Sequence, residues 1–281
     1  MGNTSKTIDG GQGEGFTVSK GYVIMLDVLG FREYISKVGM SRFLDFWKEL
    51  KLKVSHTCDL LENKVDIPLA RFATIFMSDT IVICVSSRED LNVLPEKLFP
   101  FVSLLLDDVF MFSFKQSIFF RGAISFGNFF CDMQESIAMG DALDEAYEWH
   151  ESTDWIGVIT TPSAKYALDR LFIKEPIGGF FEKEISDNFI QYLPPYKSNI
   201  NFETYAYKWV KKRDDIISDG IQLSEILKLL SNLKYTISIT KKYENTIDFI
   251  RHILDFDVNE YRIENTRIHN EMQKLSITDN S

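Results

Sequence analysis

Tyr22-Val23-Ile24-Met25-Leu26-Asp27-Val28-Leu29-Gly30-Phe31 is the stretch on which the fold turns. Its first five residues are apolar without a break. That is the pattern of a strand covered on both faces, not of one with a solvated side. Asp27 closes the run, and Gly30 permits a sharp turn into the next element. Residues 32 to 62 then read as helix, because Phe43, Phe46, Trp47, Leu50 and Val54 recur at steps of three and four.

Outward from this stretch, Arg71 to Met77 and Thr80 to Val85 are β-rich runs joined at Ser78-Asp79, which predicts a hairpin with Asp79 at its tip. A second helix is expected over about 91 to 114, and the next strand over Ser117 to Phe126, carrying Arg121 and Gly122. Gly140 to Ser152 reads as helix, Trp155 to Thr160 as a short strand, and Pro162 to Leu171 as a further helix. The order predicts an α+β fold: a ferredoxin-like βαββαβ core with an extra strand and helix, its helices on one face of the sheet. Residues 1–19 read as a glycine-rich flexible tail and 20–171 as the core domain. Residues 172–274 read as an irregular segment, punctuated by Gly178-Gly179 and Pro194-Pro195, followed by a helical appendage. Its helical periodicity spans Ile221 to Leu233 and Lys234 to Phe256, with a last polar helix to about 274 and a tail at 275–281.

Charge and composition narrow the chemistry. The 281 residues carry 31 Lys and Arg against 41 Asp and Glu, a net −10. No global field draws a polyanion, so a nucleic-acid partner is not expected. A nucleotide must instead be held locally, by metal ions and a few cations. Cys58, Cys84 and Cys131 are too widely spaced for a zinc site or a disulfide framework, and the four histidines form no ligand pair. A reducing, cytoplasmic setting is therefore expected. No secretory apolar region is seen, and Lys6 stands where a myristoylation signal wants Ser or Thr. The densest apolar stretch, Leu98 to Phe114, contains Pro100, Asp107 and Asp108, and predicts a buried helix, not a membrane span.

The candidate chemistry lies in two carboxylates. Asp27 ends the buried strand and Asp79 tips the hairpin, so a βαββαβ core can bring both to one end of the sheet. Such a pair suits Mg²⁺ or Mn²⁺, which prefer oxygen ligands and share them with triphosphate oxygens. The backbone N–H groups at Gly30 and Phe31 open a helix and suit phosphate oxygens. The same aspartates also suit plainer uses, Asp27 as a helix N-cap and Asp79 as a turn residue.

Asp27-Val-Leu-Gly-Phe31, Ser78-Asp-Thr-Ile-Val82 and Gly140-Asp-Ala-Leu-Asp-Glu-Ala146, in this order, resemble a class III nucleotidyl cyclase domain over about residues 20 to 162. The resemblance implies two Mn²⁺ or Mg²⁺ ions per site, at a metal site of Asp27, Val28 and Asp79. It also implies active sites formed between the two catalytic domains of a homodimer. The departures are specific. Ile75 stands four before the second aspartate, where purine cyclases carry a base-reading residue, and Ile137 stands at that residue's usual partner position. Asp144 and Glu148 replace an Asn and an Arg that serve the transition state.

With Arg121-Gly-Ala-Ile124, Glu145-Ala-Tyr-Glu148 and Lys242-Tyr-Glu-Asn-Thr-Ile-Asp-Phe-Ile250, those departures resemble the pyrimidine cyclases of Pycsar anti-phage systems. The implied activity converts CTP or UTP to 3′,5′-cyclic CMP or cyclic UMP plus pyrophosphate. The product would be a messenger for a separate cyclic-nucleotide-responsive effector.

Arg121, beside Phe119 and Phe120, needs a partner if buried. It either contacts the triphosphate or pairs with a core carboxylate. Asp144, Tyr147 and Glu148 share one helical turn, facing either a base pocket or solvent. An acid there can accept from the exocyclic amine of cytosine, where uracil offers a carbonyl. The catalytic candidates are thus Asp27, Asp79 and Arg121, and the nucleotide-binding candidates are Gly30, Phe31, Ile75 and Tyr147. Two rivals stand beside a cyclase: a degenerate cyclase fold that binds nucleotide or a partner without chemistry, and a polymerase palm, which the acidic charge opposes.

Overall fold

Why Tyr22 to Leu26 is apolar throughout is plain from what covers it. In a computed structural model of the chain, which describes residues 18–63, 69–88, 91, 93–174, 180–210 and 237–255, this run lies in strand β1 (Ser19–Val28). Strand β1 sits inside an eight-stranded sheet, antiparallel to β3 (Thr80–Ser87) on one side and to β4 (Phe120–Asp132) on the other. Tyr22, Ile24, Leu26 and Val28 enter the main core, while Val23 and Met25 enter a second cluster on the opposite face.

The chain then winds as α1 (Phe31–Val38), α2 (Met40–Asn63) and the hairpin of β2 (Ala70–Met77) with β3. A short 3-10 turn, Pro95–Leu98, leads into α3 (Phe99–Lys115), β4, β5 (Ile137–Met139) and α4 (Asp141–His150). Next come β6 (Gly157–Thr160), α5 (Pro162–Lys174), α6 (Phe180–Asn188), β7 (Phe189–Tyr192) and β8 (Thr204–Tyr207). Helix α7 (Ile237–Asp255) is the last element among the described residues. The strand order is β2-β3-β1-β4-β6-β8-β7, with β5 paired to β4. Parallel pairing of β4 with β6 and antiparallel pairing elsewhere make this a mixed sheet, and the protein is α+β as its sequence order predicts.

Three expectations need correction. The helices do not all lie on one face: α2, α3 and α5 pack on the main core, but Ala142 and Ala146 of α4 pack on Val23 and Met25 across the sheet. The single helix expected over 32 to 62 is two, because Gly39 takes a left-handed φ of 85° and ends α1 by donating its N–H to the Ile35 carbonyl. Strand β4 runs on to Asp132, past the expected Phe126, and folds back into the β5 hairpin.

Helix α3 fulfils the buried-helix reading of Leu98 to Phe114. Its two acids are paired: Asp107 accepts from the Tyr207 hydroxyl, and Asp108 accepts from the Thr57 hydroxyl and pairs with Lys53 at 3.0 Å. Among the described residues, no helix is long and apolar enough to cross a membrane. The sheet also continues past residue 171, since β7 and β8 pair at its far edge. Helix α7 buries Phe249, Ile250 and Ile253 against the same core. The expected periodicity over 221 to 233 and the polar helix ending near 274 lie outside the described residues.

Candidate active site

Strand register brings the candidate residues together. Asp27 on β1 lies opposite Thr80 on β3 and opposite Arg121 on β4. Asp79 precedes Thr80 in the hairpin, where Ser78 makes the turn with a φ of 51°. The N–H of Val28 donates to the Asp79 carbonyl at 3.0 Å. Two aspartates 52 positions apart in sequence thus come to one end of the sheet.

Asp27 is only 9% exposed, and so is Arg121. The guanidinium donates twice to one oxygen of Asp27, from Nε at 3.1 Å and from Nη2 at 2.8 Å. Nη2 also reaches Glu151 Oε1 at 2.7 Å. Burial raises the Asp27 pKa above the ordinary carboxylate value. Its hydrogen bond and charge attraction from Arg121 work against that rise, and the negative charge of Asp79 adds to it. The buried Arg121 therefore has the core-carboxylate partner that its position requires, and it comes from the same chain.

The turn after β1 is built on Gly30, whose φ of 71° favours glycine, and α1 starts directly behind it with no side-chain cap. The Phe31 ring is not turned toward the carboxylates. It packs on Phe43, centroids 4.8 Å apart. The backbone N–H groups at this turn, not the Phe31 ring, are suited to a phosphate.

On the α4 face of the sheet lies a cavity of about 350 Å³, lined by Met25 and Met77, each two positions before one of the aspartates. Met25, Ile75 and Val82 form its sheet wall, Ile137 comes from the β4–β5 hairpin, and Asp144 and Tyr147 come from α4. The two isoleucines at base-reading positions and two of the three candidates on α4 thus line one space. Glu148 is exposed and lies outside that lining. His150 is buried, its Nδ1 2.5 Å from the Tyr147 carbonyl.

Among the described residues, no three His, Cys, Asp or Glu side chains cluster to hold a metal ion. A pair of carboxylates still fits Mg²⁺ or Mn²⁺, because these ions bind to one or two carboxylates and complete their shells with water and substrate phosphates.

Sequence reasoning missed two groups. Glu151 follows α4 and holds Arg121. Lys197 lies in the loop between β7 and β8. Lys197 is exposed, and partial burial, then the positive charge of Arg121, lower its pKa. The Pro194-Pro195 signal marks a loop there, but only long-range pairing shows where it goes. The N–H of Asp154 donates to the Pro195 carbonyl at 2.9 Å, and that of Lys197 to the Ser152 carbonyl at 2.8 Å.

Compared by sequence, the chain matches no protein-family model and no curated protein. Compared by structure, it is similar to the catalytic core of a rhodopsin-guanylyl cyclase with converted specificity, in complex with ATPalphaS, at 13% identity and a TM-score of 0.45, over 68% of this chain and 96% of the other. It is also similar to the guanylate cyclase domain of RhGC from Catenaria anguillulae in complex with GTP, at 13% identity and a TM-score of 0.42, over 67% of this chain and 96% of that one. The adenylyl cyclase CyaB from P. aeruginosa is similar at 8% identity and a TM-score of 0.41, over 68% of this chain and 93% of that one. What those proteins act on does not transfer at such overlap.

Proposed function

We propose that the chain is a metal-dependent nucleotidyl cyclase acting on a pyrimidine nucleoside triphosphate, CTP or UTP. The observation that carries this reading is the meeting of Asp27 and Asp79 at one sheet end, with Arg121 on Asp27 and the Ile75–Tyr147 cavity alongside. The 3′-oxygen of the ribose forms a bond to the α-phosphorus. The bond from that phosphorus to the bridging oxygen breaks, pyrophosphate leaves, and the hydroxyl proton is released. Asp27, Asp79 and the backbone at Val28 would hold two divalent ions. When bound, these supply activation of the hydroxyl and neutralisation of the leaving group.

The chain's own groups do the rest. Arg121 and Lys197 are the cations at hand for triphosphate oxygens, and the N–H groups of the Gly30 turn are dipoles aimed at the same charge. Ile75 and Ile137 offer a base no hydrogen bond, which removes the usual means of reading a purine. Asp144 is an acceptor at the cavity wall and suits the exocyclic amine of cytosine. The cyclic product would act as a messenger to a separate effector in anti-phage defence, as the resemblance to Pycsar cyclases implies.

The test is incubation with equal amounts of ATP, GTP, CTP and UTP plus Mn²⁺, reading product masses. Cyclic CMP or cyclic UMP should dominate. Dominant cyclic AMP or cyclic GMP would overturn the pyrimidine assignment. The lack of a third metal-ligating side chain among the described residues favours a second reading, nucleotide binding without chemistry. Binding of triphosphate with no pyrophosphate released would establish that reading instead.

A further inference from the structure

The Lys242 to Ile250 motif falls on α7, which bonds to the backbone at Asp154 and Ile156. The Thr246 hydroxyl accepts from the Ile156 N–H at 3.0 Å and donates to the Lys242 carbonyl at 2.6 Å. The Asn245 amide donates to the Asp154 carbonyl at 2.7 Å. Thr246 is fully buried, as is Phe249, whose ring meets Trp155 edge-on at 4.3 Å.

The strip of backbone held by α7 reaches the site on two sides. Asp154 and Ser152 are bonded to Pro195 and Lys197, and Thr153 bridges Tyr196. That pairing fixes the loop that carries Lys197. At the head of the same strip, Glu151 holds Arg121, which holds Asp27. Packing of α7 requires only its apolar side chains, and a valine at 246 would fill the same volume. The hydroxyl and amide add something that packing does not need: they set the position of the strip's backbone.

We propose that α7 is a positioning strut for the triphosphate end of the site, with Asn245 and Thr246 fixing the strip that holds Glu151 on Arg121 and the backbone of Lys197 on Ser152. The inference rests on the cyclase reading, in which Arg121 and Lys197 face phosphate oxygens. Displacement of such a cation by an ångström costs on the order of a hundredfold in the reaction it serves, so a hydrogen bond remote from the chemistry can matter.

The test uses the full chain with Thr246→Val, Thr246→Ser and Asn245→Ala. Amide hydrogen exchange is followed at Asp154 and Lys197, with amides of β1 as reference. Thr246→Val should speed exchange at both positions by about tenfold, the size expected for one lost hydrogen bond, with β1 unchanged and Thr246→Ser restoring protection. Affinity for a 3′-deoxy pyrimidine triphosphate should also fall by about tenfold, while affinity for the matching monophosphate holds. If Thr246→Val does not fold, Asn245→Ala, at a half-buried position, should give the same pattern. Unchanged exchange in folded variants overturns the strut, as does equal loss of triphosphate and monophosphate binding. A wild-type protein that binds no triphosphate overturns the cyclase reading and the phosphate role with it, and exchange then decides on its own whether α7 positions the strip.

Discussion

At the scale of single residues, Asp27 shows how the site trades stability against chemistry. Burial penalises its charged form more than Arg121 supports it, so its pKa in the folded chain is raised. The native state therefore holds that proton more tightly than the unfolded chain does. The resulting contribution to stability is complete below the unfolded value, and it is lost as pH rises through the raised one. Asp27→Asn stays neutral throughout. The melting temperature of the variant should therefore gain on that of wild type as pH rises from about 4, where an unperturbed aspartate titrates. A shrinking difference would mean that the ion pair outweighs burial. The same variant should lower the proposed cyclase activity by about two orders of magnitude or more while remaining folded. Activity within a few-fold of wild type would remove Asp27 from the chemistry. Asparagine is the sharper test, because alanine would leave the guanidinium of Arg121 with only the exposed Glu151 carboxylate.

At the scale of elements, the β1–β4 pair fixes the site, since Arg121 reaches Asp27 only in this register. Gly122, the next residue, allows it. A Cβ there would lie 2.3 Å from the Met25 carbonyl oxygen and 2.6 Å from the Leu26 side chain. Gly127 on the same strand has room, its nearest neighbour being Ala142 at 3.5 Å. Gly122→Ala should therefore destabilise the fold by about 1–3 kcal/mol, as overpacking does, and Gly127→Ala should be nearly neutral. Denaturant unfolding of both variants checks this, and equal effects would contradict it. These elements also show what the sequence could reveal. The apolar run of β1 was legible because both its faces are covered, and the hairpin because turn residues separate two β-rich runs. Strands β5, β7 and β8 have three or four residues each, too few to show a period. Glu151 and Lys197 were illegible for another reason. Their place depends on pairing between residues far apart in the chain, and nothing local to Lys197 marks it.

At the scale of the whole molecule, the open question is how many chains build one site. The cavity is lined in part by apolar groups that remain in water: Met77 and Tyr147 are each more than half exposed, and Ile137 is exposed as well. An exposed apolar patch around a cavity suits a covering surface, and a second copy arranged by two-fold symmetry would cover two such cavities at once. We expect a homodimer in solution. Asp27 and Arg121, however, bond within one chain, and that separates two kinds of dimer. If the bonded pair works as a unit, each site takes both residues from the same subunit. Mixing inactive Asp27→Asn with inactive Arg121→Ala should then restore nothing, because every hybrid site lacks one or the other. If Arg121 instead acts across the seam, half of the dimers are hybrids and one of the two sites in each is native, so about a quarter of wild-type activity should return. Sedimentation run alongside the mixing assay shows whether hybrids can form. No rescue in a mixture of exchanging dimers is the expected result, and recovery near a quarter would move Arg121 to the partner's site.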